Sequence, residues 1–309
     1  MSLPFKLVYH EGYDLNLGSH VFPSQKFRMI RERFLADGFA APSDFATPEP
    51  ASDDDLLLVH DRAWITRLKN GTLDFAELLR LEIPYSKQMV DAFWLAAGGS
   101  TLAARLALED RVGFNIGGGF HHAFPDHGEG FCAIHDVAVA IRKLQKDRLI
   151  ERAMVVDTDV HHGNGTAAIF AGDATVLTMS IHQFHNYPFE KPLSDIDVHL
   201  KDGTGDEEYL DRLNEACLWG LKEIQPQLVM YVAGSDPYRE DKLGGLSLSI
   251  EGLKTRDRMV FDLAHDHHAA VAVTLAGGYA RQIEDTITIH SNTAHAAAES
   301  ILNRTSNKL

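Results

Sequence analysis

The chain is poor in cysteine, in positive charge and in long apolar runs. Two cysteines in 309 residues cannot build a disulfide framework, which points to a reducing, cytoplasmic setting. Lysine and arginine number 29 against 44 aspartates and glutamates, a formal charge of -15. That balance argues against direct nucleic-acid binding and favours neutral or cationic partners. No stretch approaches the ~20 apolar residues of a membrane span; the longest, Ala269–Ala276, is strand-length and runs into Gly277-Gly278. The N-terminal Met1-Ser-Leu-Pro-Phe-Lys-Leu lacks the apolar core of a signal peptide. Repeats and low-complexity tracts are missing too, and Pro42–Asp55 reads as a surface loop inside one domain spanning 1–309. Hydrophobic residues at 45% and charged residues at 24% are ordinary for a folded chain. Histidine stands out: there are 17, eight of them between His121 and His185.

Short β-rich runs alternate with helical patterns. Phe5–Tyr9, Gly113–Ile116, Ala153–Asp157, Thr175–Ile181, Leu228–Ala233 and Ala269–Ala276 read as buried strands. Between them, Ser24 is placed to cap a helix to Ala36 with Gly38 as its stop. Tyr85–Leu108 reads as a long helix with a break at Gly98-Gly99. Leu210, Leu213, Cys217, Leu221 and Ile224 share one helical face, which makes Cys217 a core residue. Ile283–Leu302 reads as a closing helix. Such alternation predicts an α/β, three-layer fold: a mostly parallel central sheet with helices on both faces. Ligands of such sheets bind beyond the carboxyl ends of the strands.

Four of the predicted strands are followed at once by chemically capable residues. After Gly113–Ile116 comes Gly117-Gly118-Gly119-Phe120-His121-His122, and after Ala153–Val156 comes Asp157-Thr158-Asp159-Val160-His161-His162-Gly163-Asn164-Gly165. Gly234-Ser235-Asp236-Pro237 and Gly277-Gly278-Tyr279 follow the last two. Alternation around a strand end gives Asp157, Asp159 and His161 a common face. Asp159 and His161, joined by Asp236 from another strand, suit a catalytic zinc site with an open position, and the oxygen-rich set also accepts Fe(II). Taken alone, the same aspartates serve equally well as helix caps; four clusters on one rim favour an active site. The histidine pair follows glycines that permit close backbone approach, and histidine is the natural proton carrier near neutral pH. Tyr279 can donate to an oxyanion. Gly130-Phe131 offers an apolar wall, while Cys132 and His267-His268 read as structural.

With these residues in place, the chain resembles the zinc-dependent histone deacetylase family of the arginase–deacetylase fold. The likeness runs from His20-Val21-Phe22-Pro23-Ser24 and Leu57-Leu58-Val59-His60 through Gly117–Asp136 and Asp157–Gly165 to Ala276-Gly277-Gly278-Tyr279. Gly118–His122 and Gly203–Leu210 are most similar to its class IV branch, in a bacterial member. The resemblance implies Asp159, His161 and Asp236 as zinc ligands, and His121 and His122 as tandem catalytic histidines. Asp157 then stands behind His121, Asn164 behind His122, and Tyr279 polarises the carbonyl. It further implies a structural potassium site at Asp157, Asp159, His161, Ser180 and Ile181, and an acyl-lysine tunnel lined by Phe131 and Gly130. Val21, Pro23, His135 and Asn164 depart from the commonest family choices, none of them at a metal ligand. A neutral Asn164 raises the basicity of His122 less than a carboxylate does.

The implied chemistry is metal-assisted hydrolysis of an N-acyl amide on a lysine side chain of a protein. An acetylpolyamine or other small acylated amine is the alternative substrate, and longer acyl groups are a further one. A dinuclear manganese ureohydrolase needs more bridging aspartates than Asp157, Asp159 and Asp236. A non-catalytic acyl-lysine binder is the competing class, and its usual mark, loss of Tyr279, a ligand or the histidine pair, is missing. The sequence leaves open which of His121 and His122 carries the proton, the role of His135 and the oligomeric state.

Overall fold

Alternation along the strands sorts their side chains into two cores. In the computed structural model, which describes residues 3–306, β1 (Lys6–Val8), β2 (Phe45–Ala46), β3 (Val112–Asn115) and β4 (Ala153–Asp157) lie in one sheet with four later strands. These are β5 (Val176–Gln183), β6 (Ile196–Leu200), β7 (Leu228–Val232) and β8 (Ala270–Thr274). All pairings are parallel and the order is β2-β1-β3-β8-β7-β4-β5-β6. The ends of the domain expected over 1–309, residues 1–2 and 307–309, lie outside the described residues, as does the start of the N-terminal segment.

Ala153, Val155, Leu228, Met230 and Val232 enter one core, where they meet α5 (Lys87–Asp110) and α6 (Asp136–Lys146). Met154, Val156, Val229 and Tyr231 enter the other, shared with α1 (Lys26–Ala36), α8 (Asp206–Ile224), α9 (Ile250–Asp266) and α10 (Ile283–Ser306). Burial of each such Val, Leu or Phe side chain contributes about 1.5–3 kcal/mol. Short helices α2 (Asp53–Leu56), α3 (Arg62–Asn70), α4 (Phe75–Leu81) and α7 (Asn164–Phe170) complete the set. No described helix is long and apolar enough to cross a membrane.

The three-layer α/β reading holds, and all six expected strands are present. Two were not anticipated. β2 has only two residues within the stretch read as a loop, and β6 alternates Ile-Asp-Val-His-Leu as a half-exposed edge. Helix α5 runs unbroken through Gly98-Gly99, because those glycines mark close approaches rather than a break. A side chain at Gly98 would run into the Glu49 carbonyl, and one at Gly99 into the Tyr13 hydroxyl. Ser24 does not cap α1: its hydroxyl donates to Asp14, and the helix begins after Gln25 with no side-chain cap. On α8, Leu213, Cys217, Leu221 and Ile224 are buried as the face predicts, while Leu210 near its start is only half-buried.

Topology explains why the four motifs meet. Their strands, β3, β8, β7 and β4, are consecutive neighbours in the middle of the sheet. Every strand points the same way, so all four following loops open on one edge.

Candidate active site

At the end of β4 the chain turns, and its two aspartates part company. Asp157 Oδ2 lies 2.6 Å from His121 Nδ1. Asp159 faces the other way: its Oδ1 accepts the His161 backbone N–H at 3.0 Å and lies 2.9 Å from His161 Nδ1, while its Oδ2 accepts the Gly277 N–H at 2.8 Å. Asp236 arrives after β7, with Oδ1 accepting from Val160 N–H at 2.8 Å and Oδ2 3.5 Å from His161 Nδ1. That Oδ2 is buried with no hydrogen-bond partner. Donor atoms of Asp159, His161 and Asp236 lie within 4.8 Å of one another.

Electrostatics shows what this trio calls for. Burial and the like charge of Asp159 push the Asp236 carboxyl up. Burial opposes charge on His161, yet its contacts with Asp159 and Asp236 win and raise it to about 10. Two adjoining buried carboxylates and an imidazole therefore attract a cation. The orphaned Asp236 oxygen and the mixed N/O donor set fit a divalent metal of the zinc or iron(II) type. Gly277 belongs to the same design: a methyl group there would press on both Asp236 and Asp159.

The two histidines after β3 are tuned in opposite directions. Burial alone would lower His121, but the carboxylates of Asp157 and Asp159 outweigh it and raise it to about 9. His122 Nδ1 lies 2.7 Å from Asn164 Oδ1, an acceptor, which assigns the proton to Nδ1 and leaves Nε2 free to accept. Burial and the positive neighbours His121 and His161 hold His122 well below the ordinary histidine range. Within this tandem pair the surroundings favour the charged form of His121 and the neutral form of His122, with ring centroids 4.0 Å apart.

These groups end a cavity of about 190 Å³, lined by His121, His122, Asp159, His161, Tyr279 and a set of apolar side chains. Gly130 and Phe131 line it too. Both residues have positive φ, +51° and +69°, and Phe131 is a bulky residue in a region it rarely adopts. Phe22 stands edge-on to Phe131 and Tyr279, with centroids 6.2 and 6.1 Å away. Ser180 is paired across the sheet with Asp157, and Ile181 follows it on β5.

Sequence reasoning passed over several supporting residues. Asp136, buried at the start of α6, accepts N–H bonds from Gly119 and Phe120 and so holds the loop that carries the histidines. Asp241 does the same for Tyr279, accepting its backbone N–H at 2.6 Å while binding those of Leu243 and Gly244. Lys26 is fully buried and donates to the Ala276 carbonyl at 2.7 Å. Burial lowers it to about 8 against the pull of Asp236, Asp159 and Asp241. Glu129 accepts from Asn164 Nδ2 at 2.7 Å, and the Tyr187 hydroxyl donates to it beside the cavity. Glu129 and Asp136 do sit inside the Gly117–Asp136 run, but nothing in the sequence says which loop atoms they reach. His135 is a helix cap, its Nδ1 accepting from Ala138 N–H.

The comparisons agree with this architecture. A histone deacetylase domain model matches residues 20–294. An uncharacterized protein of Picosynechococcus sp. is 39% identical over 296 residues, covering 96% of this chain and 99% of that one. Histone deacetylase 2 of Arabidopsis thaliana is 32% identical over 306 residues, covering 91% and 77%. The crystal structure of the HDA15 HD domain superposes with a TM-score of 0.78 at 24% identity over 98% of this chain and 92% of that one, a likeness of fold. With a sheet, a strand-end site and a family match that agree, the chain belongs to the histone deacetylase family and is a hydrolase acting on amide bonds.

Proposed function

We propose that this protein, read as one catalytic domain over 1–309, removes acetyl or longer acyl groups from lysine side chains of proteins. The observation that carries this reading is the pairing of His121, held on the Asp157 carboxylate, with His122, held on the Asn164 carbonyl, beside Asp159, His161 and Asp236 at the end of a largely apolar cavity. At about 190 Å³ the cavity is smaller than the ~300–1,000 Å³ that take whole drug-sized ligands. It suits a side chain threaded past Phe131 and Gly130.

Asp159, His161 and Asp236 would hold zinc, or iron(II). Such an ion, when bound, supplies Lewis-acid polarisation of the amide carbonyl and a water of lowered pKa. His122 Nε2 takes the proton from the attacking water and hands it to the departing amine, because Asn164 fixes its tautomer. His121, kept charged by Asp157, opposes the negative charge that develops on the carbonyl oxygen. Tyr279 donates its hydroxyl to that oxygen; burial holds its pKa well above the usual phenol value, so it stays protonated. Phe22 and Phe131 exclude water from the path. The resemblance to class IV, a cytoplasmic location and a structural potassium at Asp157, Asp159, His161, Ser180 and Ile181 complete the reading.

A second substrate, an N-acetylated polyamine, is favoured by Glu82 and Glu129. The first lines the cavity and the second bonds to Tyr187 on its wall, so both can attract a cationic chain. The test is turnover by metal-analysed protein of acetyl-lysine peptide, longer acyl-lysine peptides and acetylpolyamines, with a hydroxamate as inhibitor. His122→Ala and Tyr279→Phe must each abolish most of it. Near wild-type rates in both variants would refute the scheme.

A further inference from the structure

His161 and His162 leave the β4 loop on opposite sides. His161 lines the catalytic cavity, whereas His162 meets β5 and β6 at the sheet edge. There the parallel register sets Ser180 opposite Asp197 and His182 opposite His199. Residues two apart on a strand share a face, so these four side chains project together. His162 Nε2 is 3.1 Å from Asp197 Oδ1, and its ring stands edge-on to His182 with centroids 4.6 Å apart. His182 Nε2 lies 2.9 Å from His199 Nδ1.

Donor atoms of His162, His182 and Asp197 all fall within 4.8 Å of one another, and this is one of two such groups among the described residues; the other is the catalytic trio. The separations of 2.9 and 3.1 Å are close to the roughly 3.3 Å edge of a tetrahedron built on ~2.0 Å zinc bonds. Outer contacts are in place as well: His182 Nδ1 lies 2.9 Å from Ser180 Oγ, which leaves Nε2 as the ligating atom. His162 is fully buried and its Nδ1 has no hydrogen-bond partner, so its polar contacts are made through Nε2, to Asp197 and at 3.3 Å to the Ser194 hydroxyl. Access exists, because Asp197 and His199 line an open cavity of about 810 Å³.

We propose that His162, His182, Asp197 and His199 form a second zinc site, structural in type, which fastens the β5–β6 edge to the back of the loop carrying His161. Three imidazoles and one carboxylate match zinc in softness and number, and four protein donors close the coordination shell.

The experiment is elemental analysis after saturation with Zn(II) and desalting, repeated with Co(II), whose visible absorption reports tetrahedral N/O ligation. Wild type should hold two zinc ions per chain. Asp197→Asn/His199→Ala should hold one and still hydrolyse acyl-lysine peptide, and Asp236→Asn should hold one and be inactive. Independent loss of the two ions separates this arrangement from a bridged pair. His199→Cys, which exchanges one zinc donor for another, should keep two. The proposal is overturned by a single zinc in wild type that is lost only in Asp236→Asn, by an unchanged count in Asp197→Asn/His199→Ala, or by a count of one in a folded His199→Cys.

Discussion

Gly277→Ala tests the geometry of the metal trio without removing a donor atom. A methyl group at residue 277 would stand 2.5 Å from Asp159 Oδ2 and overlap Asp236 Oδ2 more severely. To restore the 3.4 Å of ordinary contact, the Asp159 oxygen must retreat by about 0.9 Å and the Asp236 oxygen further. Coordination distances tolerate only about 0.2 Å, and a misplacement near 1 Å costs roughly 100-fold in rate. Overpacking in such a tight site costs about 1–3 kcal/mol of stability, too little to unfold a chain of this size. We therefore expect kcat/KM for an acetyl-lysine peptide to fall at least about 100-fold. Zinc affinity at this site should fall with it, while the circular dichroism spectrum stays native. Full zinc occupancy with a rate within threefold of wild type would refute the reasoning.

Tyr279→Phe removes one donor to the developing oxyanion and should lower kcat by about 10²–10³, measured in the same peptide assay. His122→Ala should lower it by about 10²–10⁴ through loss of the proton carrier. The pH profile should show kcat/KM high through neutral pH and falling as pH passes about 9, where His121 gives up its proton; the acid limb, set by His122, should lie below the ordinary histidine range. His121 is raised from 6.5, so its contribution to stability is complete below that pH and is lost as pH climbs through about 9; an alkaline limb unaltered in His121→Asn would contradict the assignment. Asp257→Ala would strand the guanidinium of Arg256, fully buried and bonded to Asp257 and to the Gly234 carbonyl ahead of Asp236. It should cost about 3–5 kcal/mol in urea unfolding, and a loss below 1 kcal/mol would be at odds with that burial.

The central strands were legible because burial on both faces demands unbroken apolar runs, as in Ala153–Val156 and Leu228–Val232. Edge strands have no such demand. β6 exposes one face, where Asp197 and His199 sit, and its pattern does not separate from a loop. Gly98-Gly99 misled for a related reason: glycine signals a break and a close approach alike, and only the neighbouring Glu49 and Tyr13 distinguish them. At the site, residues that act at a strand end could be read from the strand that precedes them. Asp136, Asp241, Glu129 and Lys26 act through backbone or side-chain atoms far along the chain, and no local pattern marks those contacts.

The central claim is that amide hydrolysis depends on the metal held by Asp159, His161 and Asp236. The measurement that tests it most directly is release of free amine from an acetyl-lysine peptide by metal-analysed wild type and Asp236→Ala side by side. The account predicts hydroxamate-sensitive turnover in wild type, and in Asp236→Ala the loss of one metal ion together with nearly all activity. Undiminished turnover in Asp236→Ala, or none in fully metallated wild type with any acyl-lysine or acetylpolyamine, would contradict it.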